Sequence, residues 1–345
     1  MSRKLFAATS VGNKIRGIRS ITINESHSSP VTIATIDCVD EDLTIGDLVT
    51  IYMGYQDNNA QIFKGYLKQK ELKIPEGHYS LTFQDYMSRA VDFFIASDNP
   101  NNPFRRRNIK AEDLVKDVFA LAGLTNFSYD PTGFTLAINV DAEVNLISVY
   151  DYCKSIADIV TWTLWADENG VIHFKNRKPF IMTGNSGQPG DDFDEREEAY
   201  NPPIVINNAI ITAEKLKNET NLRNKVVVYG DNESSATASS STSYDPDTKS
   251  NVTVLPAGYY KTTVIASNLI GGASLCQKTA NYNLHKLNRL SVEMGLLIEG
   301  NPQIHARQVV RIDLPNVSNN RNWYVYNVEH SFGSGGYTTR LMVRL

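Results

Sequence analysis

Between residues 14 and 95 apolar and polar side chains alternate with a period of two. Ile18-Arg19-Ser20-Ile21-Thr22-Ile23 and Val31-Thr32-Ile33-Ala34-Thr35-Ile36 are clear cases. Successive side chains of a strand point to opposite faces, so the alternation predicts strands with one buried and one wet side. Turn-forming clusters separate the runs, among them Asn24-Glu25-Ser26-His27-Ser28-Ser29-Pro30 and Gln56-Asp57-Asn58-Asn59. The period then changes. Leu114, Val115, Val118, Phe119 and Ala122 recur at helical spacing over residues 111–123, and Gly123 suits the left-handed position that ends a helix. A second helix is expected over about 148–158, with Val149, Tyr152, Cys153 and Ile156 inward and Ser148 with Asp151 as a capping box. Two alternating runs, 161–165 and 171–174, flank Asp167-Glu168-Asn169-Gly170, and Asn-Gly in that setting predicts a hairpin. Strands are expected again at 204–212 and 225–229. A third helix follows over 273–289 with Leu275, Tyr282 and Leu284 among its apolar positions, and 290–345 returns to strand alternation.

The last segment can be laid on the first. Gly46-Asp47-Leu48-Val49-Thr50-Ile51 matches Arg307-Gln308-Val309-Val310-Arg311-Ile312 at an offset of 261 residues. At the same offset Ile62-Phe63-Lys64-Gly65-Tyr66-Leu67 meets Trp323-Tyr324-Val325-Tyr326-Asn327-Val328, Ile33 meets Met294 and Ile36 meets Leu297. Tyr79-Ser80-Leu81-Thr82-Phe83 matches Tyr337-Thr338-Thr339-Arg340-Leu341 at 258. Each unit is small and rich in strand edges, and closure into a barrel removes edges. The expected fold is therefore mainly β with an α+β insert: two similar small β-barrels flanking a small α/β region. The expected division is a first barrel over 1–100, an insert over 101–190 and a linker with returning strands over 191–230. A mobile Ser-rich loop over 231–258 and a helix with the second barrel over 259–345 complete it.

Composition narrows the function. The 345 residues carry a net charge of −4, which argues against sequence-independent nucleic-acid binding, since that needs Lys and Arg to displace counterions. No stretch approaches the ~20 apolar residues of a membrane span, and the N-terminal apolar run is too short for a signal peptide, so cytoplasmic synthesis is expected. Cys38, Cys153 and Cys276 read as small buried apolar residues rather than disulfide or metal partners. The six His show no metal-ligand spacing, and no phosphate-cradling loop or nucleophile motif is present. Gly184-Asn185-Ser186-Gly187 and Gly333-Ser334-Gly335-Gly336 look like turns. Carboxylate groups such as Asp40-Glu41-Asp42 fall in polar turns, where nothing raises a pKa for acid catalysis. Arg105-Arg106-Arg107 reads as a solvent loop or an ion-paired contact, and 191–198 as a solvated charge run. Trp162 and Trp165, three apart on a strand, should face opposite sides, one toward a core and one free for an interface. Gly46-Asp47 reads as a turn leading into a strand and Gly65 as a bulge residue.

The order of these features resembles the baseplate hub proteins of contractile phage tails, the late-control-D-like family. The features are 46–51, 62–66, the helix at 111–123, 151–153 through 169–174, and 324–330 followed by Gly336-Tyr337-Thr338-Thr339. The resemblance implies a non-catalytic structural subunit without catalytic, cofactor or metal site, located in the virion tail baseplate and assembled in the host cytoplasm. It implies a homotrimer whose six related barrels form a pseudo-sixfold ring between a hexameric tail tube and a trimeric spike. A central channel would pass the tape-measure protein and then DNA as transient cargo, with a wall poor in Lys and Arg. Partners implied are the tail tube or tube-initiator protein, the spike and the tape measure, with no membrane insertion. Gly46, Asp47, Gly65, Trp162, Trp323, Gly336 and Tyr337 are the barrel-defining or interface candidates. The alternatives are a tail-associated cell-wall hydrolase and a host-glycan-binding tail protein, the latter through exposed aromatics such as Trp162 or Trp323.

Overall fold

The computed structural model describes residues 4–95, 104, 106, 109–131, 135–136, 147–160, 162–175, 180–183, 188–192, 204–206, 210–248, 250–314 and 322–345. A strand the alternation did not mark, β1 Leu5–Thr9, precedes the first alternating region, which forms five: β2 Ile15–Ser26, β3 Ile33–Glu41, β4 Leu48–Tyr55, β5 Asn58–Lys73 and β6 His78–Asp85. After the short α1, Met87–Asp92, the chain builds α2 Ala111–Leu121, β7 Phe127–Tyr129, α3 Val149–Ile159, β8 Thr163–Ala166 and β9 Ile172–Lys175. It returns through β10 Ile204–Ile206, β11 Ile210–Asn218, β12 Lys225–Asp231, β13 Ser235–Ser239, β14 Thr262–Gly271 and α4 Gly272–Leu287. It ends in β15 Ser291–Glu299, β16 Val309–Ile312, β17 Asn322–Gly333 and β18 Gly336–Arg344.

The helices lie close to where the periodicity put them. Ser148 caps α3, its Oγ accepting from the Asp151 N–H at 3.0 Å and donating to the Asp151 carboxylate at 2.8 Å. Val149, Tyr152, Cys153 and Ile156 are all buried. β8 and β9 form the antiparallel hairpin expected from Asn169-Gly170, and β7 joins β9 in parallel.

The chain repeats its strand order. One 12-stranded sheet runs β1-β4-β5-β6-β3-β2-β17-β18-β15-β11, with β16 beside β17 and β10 beside β16. Its two halves, β4-β5-β6-β3-β2 and β16-β17-β18-β15-β11, have the same order, and each lies over its own core. The first core gathers Ile21, Ile36, Val49, Phe63 and Phe83; the second gathers Met294, Ile298, Val310, Trp323 and Val343.

The bulges give the register of the repeat. β2 carries one extra residue at Arg19 against β3, and β11 one at Ile211 against β15. β5 carries one at Lys68 against β6, and β17 one at Tyr326 against β18. Matching bulge to bulge places Ile36 on Leu296 and Leu81 on Leu341, an offset of 260 for β3 and β6 rather than 261 and 258, and Lys68 on Tyr326, an offset of 258 for β5 rather than 261. The single-residue correction on β3 matters physically. It puts Ile36 (0 % exposed) on Leu296 (2 %), whereas the sequence alignment put it on the more open Leu297; a slip of one residue exchanges the faces of a strand.

Three further expectations change. The Ser-rich segment is not a loop throughout: β13 pairs antiparallel with β12, and Ser243–Asp245 pairs with Ser250–Val252. Ladder pairing satisfies its backbone, and Ala238, Ser243 and Asp245 are buried, so few apolar residues suffice where the partner strands supply the core. Helix α4 packs on β12 and β13 rather than joining the second half, and its Cys276, Ala280 and Tyr282 belong to the same core cluster as Val115, Phe119 and Ile156. Gly65 sits in register rather than at a bulge, opposite Asp85 and Val49. Residues 184–187 and 193–200 lie outside the described residues.

Candidate functional site at the seam between the halves

The two halves join where β2 pairs antiparallel with β17, from Ile21 opposite Phe332 to Ser26 opposite Asn327. The ladder continues one step further, the His27 N–H donating to the Tyr326 carbonyl at 2.8 Å. This intrachain seam collects polar groups that lie almost the whole chain apart. Glu25, at the end of β2, meets His305 Nδ1 at 3.2 Å and Arg307 Nη1 at 3.3 Å. Arg307 also donates to the Ser26 carbonyl at 2.6 Å, and its guanidinium stands 5.6 Å from the Trp165 ring. Burial pushes the Glu25 carboxyl up, but the His305 hydrogen bond and the charges of His305 and Arg307 outweigh it and hold the pKa below the usual carboxylate range. His305 moves the other way: burial opposes its charge, and the Glu25 contact prevails and raises its pKa.

A second set lies behind the first. His330 Nε2 donates to the Ile304 carbonyl at 3.0 Å, and its Nδ1 lies 2.8 Å from the Tyr337 hydroxyl. That arrangement makes Nδ1 the acceptor and keeps the ring neutral, with burial lowering its pKa to about 4. Asp85 accepts from the Thr32 and Met87 N–H groups at 2.9 and 3.0 Å. Burial nevertheless lifts its pKa to about 7.

The sequence candidates fall at several places. Gly46 (φ +96°) and its counterpart Arg307 (φ +69°) share a left-handed backbone. Gly46 N–H donates to the Leu67 carbonyl at 2.8 Å and Leu67 N–H to the Asp47 carbonyl at 2.9 Å. Arg307 and Gln308 make the same pair with Val325, at 2.7 and 2.9 Å. The 261 offset holds at this turn. Asp47 also meets Lys14 at 3.6 Å. At Gly65 a Cβ would stand 2.2 Å from the Gln84 carbonyl oxygen, so closeness of two backbones requires glycine there. Gly336 closes the β17–β18 turn opposite Gly333. Tyr337 is buried and packs into the first core although it belongs to the second half.

Trp162 packs on Phe174 with ring centroids 5.1 Å apart. Trp165 stacks on His173 at 4.7 Å, so its contact surface is used within the chain. Trp323 is 0 % exposed in the second core, which removes it as an exposed aromatic for glycan. Cys38, Cys153 and Cys276 are buried and free. Arg106 pairs with Asp117 at 2.6 Å, while Arg105 and Arg107 lie outside the described residues. Asp40 and Glu41 sit at the end of β3, paired with Arg16 and Lys70. Among the described residues no group of three His, Cys, Asp or Glu side chains is placed to hold a metal ion, and no helix is long and apolar enough to cross a membrane. The sequence marked Arg307 only as the counterpart of Gly46 and gave no sign that Glu25, His305 and Arg307 meet, since nothing local ties residue 25 to residue 305.

No protein-family model and no curated protein matches the chain. Solved structures do. It is similar to a tail protein from Neisseria meningitidis (TM-score 0.69, 11% identity, 99% of this chain and 97% of that one). It is also similar to the 43 kDa tail protein of prophage MuSo2 from Shewanella oneidensis (TM-score 0.64, 12% identity, 99% and 97%). A third is an E. coli component of the type VI secretion system, described as structurally similar to the T4 bacteriophage tail proteins gp27 and gp5 (TM-score 0.54, 9% identity, 98% and 76%). The chain therefore has the fold of phage tail proteins along nearly its whole length.

Proposed function

We propose that this chain is a structural subunit of a phage or phage-like tail, the baseplate hub, working as a homotrimer. The observation that carries the proposal is the repeat: one chain holds the same five-strand order twice, each over its own core. In this reading each half is a barrel-like unit and three chains present six. Such a ring can meet a sixfold tube on one side and a threefold spike on the other, which resolves a symmetry mismatch without any chemical step. Its channel would pass the tape measure and then DNA, and a wall poor in Lys and Arg would let DNA leave.

The test is the native mass of the purified full chain by light scattering, with two-dimensional averages of the particles. A mass of three chains and a ring with near-sixfold outline is the expected result. A monomer that lyses bacterial cell walls in a zymogram would replace this reading with a hydrolase; a monomer retained on host glycan would replace it with a binding protein.

A further inference from the structure

The β2 edge that pairs with β17 has a counterpart in the second half. Matched through the bulges at Arg19 and Ile211, β2 corresponds to β11, with Thr22 on Glu214 and Ser26 on Asn218. Matched through the bulges at Lys68 and Tyr326, β17 corresponds to β5, with Tyr326 on Lys68 and Ser331 on Lys73. Among the described residues of one chain β2 and β17 are paired, while the outer edges of β11 and of the far half of β5 have no strand beside them. β11 ends the sheet, and residues 211–217 are all exposed. The β4 side of β5 is engaged only as far as Leu67, and residues 68–72 are exposed.

We infer that β11 of one copy pairs antiparallel with residues 68–74 of β5 and its turn in a second copy, repeating the β2–β17 seam. The register follows from that seam. Thr22 opposite Ser331 becomes Glu214 opposite Lys73, and Asn24 opposite Glu329 becomes Leu216 opposite Glu71. His27, bonded to Tyr326, becomes Glu219 facing Lys68. Opposite charges thus face each other near both ends of the new ladder, Glu214 with Lys73 and Glu219 with Lys68. Within the single chain Lys73, Lys68 and Glu219 hold exposed pairs with Glu71, Asp92 and Lys261 at 2.9, 2.8 and 2.8 Å, which the ladder would share or exchange. The pairing also covers apolar side chains that the single chain leaves open: Leu216 at 57 % exposure, Leu72 at 48 % and Ile74 at 79 %. Lysines on an edge strand commonly guard against pairing. Here Lys215 and Lys217 are each held at 2.7 Å by Asp247 and Asp245 on the neighbouring hairpin, which draws them over one face and leaves the backbone edge clear.

This joint rests on the oligomer proposed above, and it is head-to-tail, so it either closes into a ring or extends without end. The test is the full chain carrying Glu214→Cys with Lys73→Cys. Thr22 and Ser331 form a pair not bonded to each other through the backbone, where Cα atoms stand about 4.5 Å apart, within disulfide reach. Mild oxidation should give bands of two and three chains on a non-reducing gel and none above three. Glu214→Cys with Lys70→Cys, out of register by three residues, should give none. A three-chain native mass without cross-linking would overturn this joint and leave the trimer standing. A ladder extending past three chains would uphold the joint and overturn the closed ring. A monomeric mass without cross-linking would overturn both.

Discussion

Glu25 and Arg307 meet across the seam at 3.3 Å, with side chains only 11 % and 4 % exposed. They come from opposite ends of the chain, and Arg307 takes a left-handed backbone that a non-glycine residue rarely adopts. The contacts that hold it there are all tertiary: the Glu25 carboxylate, the Ser26 carbonyl and the Val325 backbone. The ion pair therefore couples the fold of the first half to the turn that opens the second.

Arg307→Ala leaves the Glu25 carboxylate buried with His305 and the Ala306 N–H but without its cationic partner. Removing one partner of a buried pair costs about 3–5 kcal/mol. Urea denaturation should show that loss, and Arg307→Gly should fare no better although glycine relieves the backbone. A loss under about 1 kcal/mol for Arg307→Ala would show that the pair does not hold the seam.

His330 should make the fold acid-sensitive. Its folded pKa is lowered to about 4, while the unfolded chain takes up that proton near 6.5. Between these values the unfolded state binds more protons, so this residue's contribution rises with pH from 4 to 6.5 and is lost as pH falls through that window. Asp85, raised to about 7, works in the opposite direction over an overlapping range, because the folded state then holds the extra proton. The comparison is therefore between the wild type and His330→Gln. Denaturation curves at stepped pH should show the stability of the wild type relative to the variant growing by up to about 3 kcal/mol from pH 4 to 6.5. Parallel curves would mean that His330 is not held neutral.

Gly65→Ala forces a methyl group against the Gln84 carbonyl, a backbone atom that cannot step aside. Overpacking of this kind costs about 1–3 kcal/mol. Hydrogen exchange should show the loosening in β5 and β6 first, whereas Gly335→Ala, with open space at its Cβ and no left-handed backbone, should leave those strands protected.

Trp323→Ala should cost about 3–5 kcal/mol, as for a large side chain removed from a core. Trp323→Phe should cost less, because the indole N–H has no partner among the described residues. Both variants should leave glycan retention unchanged; a selective loss of retention with unaltered melting would reinstate a binding role for this residue.

Local periodicity made much of the fold legible. Leu114, Val118 and Phe119 announced α2, Ser148 announced the start of α3, and Asn169-Gly170 announced its hairpin, because each depends on neighbours within a few residues. The duplication was legible for the same reason, since Gly46-Asp47 and Arg307-Gln308 occupy like turns. The register of β3 on β15 was not, as alternation by itself leaves a strand free to slide until a partner pins it. Trp323 and the Ser-rich segment were misread for a related cause: exposure belongs to what packs on a residue.

By itself, the sequence determined strand against helix, the order of elements and the presence of two like halves, all properties of short-range spacing and turn chemistry. Tertiary structure alone decided that bulges at Arg19, Ile211, Lys68 and Tyr326 align the halves, and that α4 serves the central core. It also decided that Glu25, His305 and Arg307 form one buried cluster. Those outcomes depend on long-range pairing, in which residues some 280 positions apart compete for the same burial and the same hydrogen bonds.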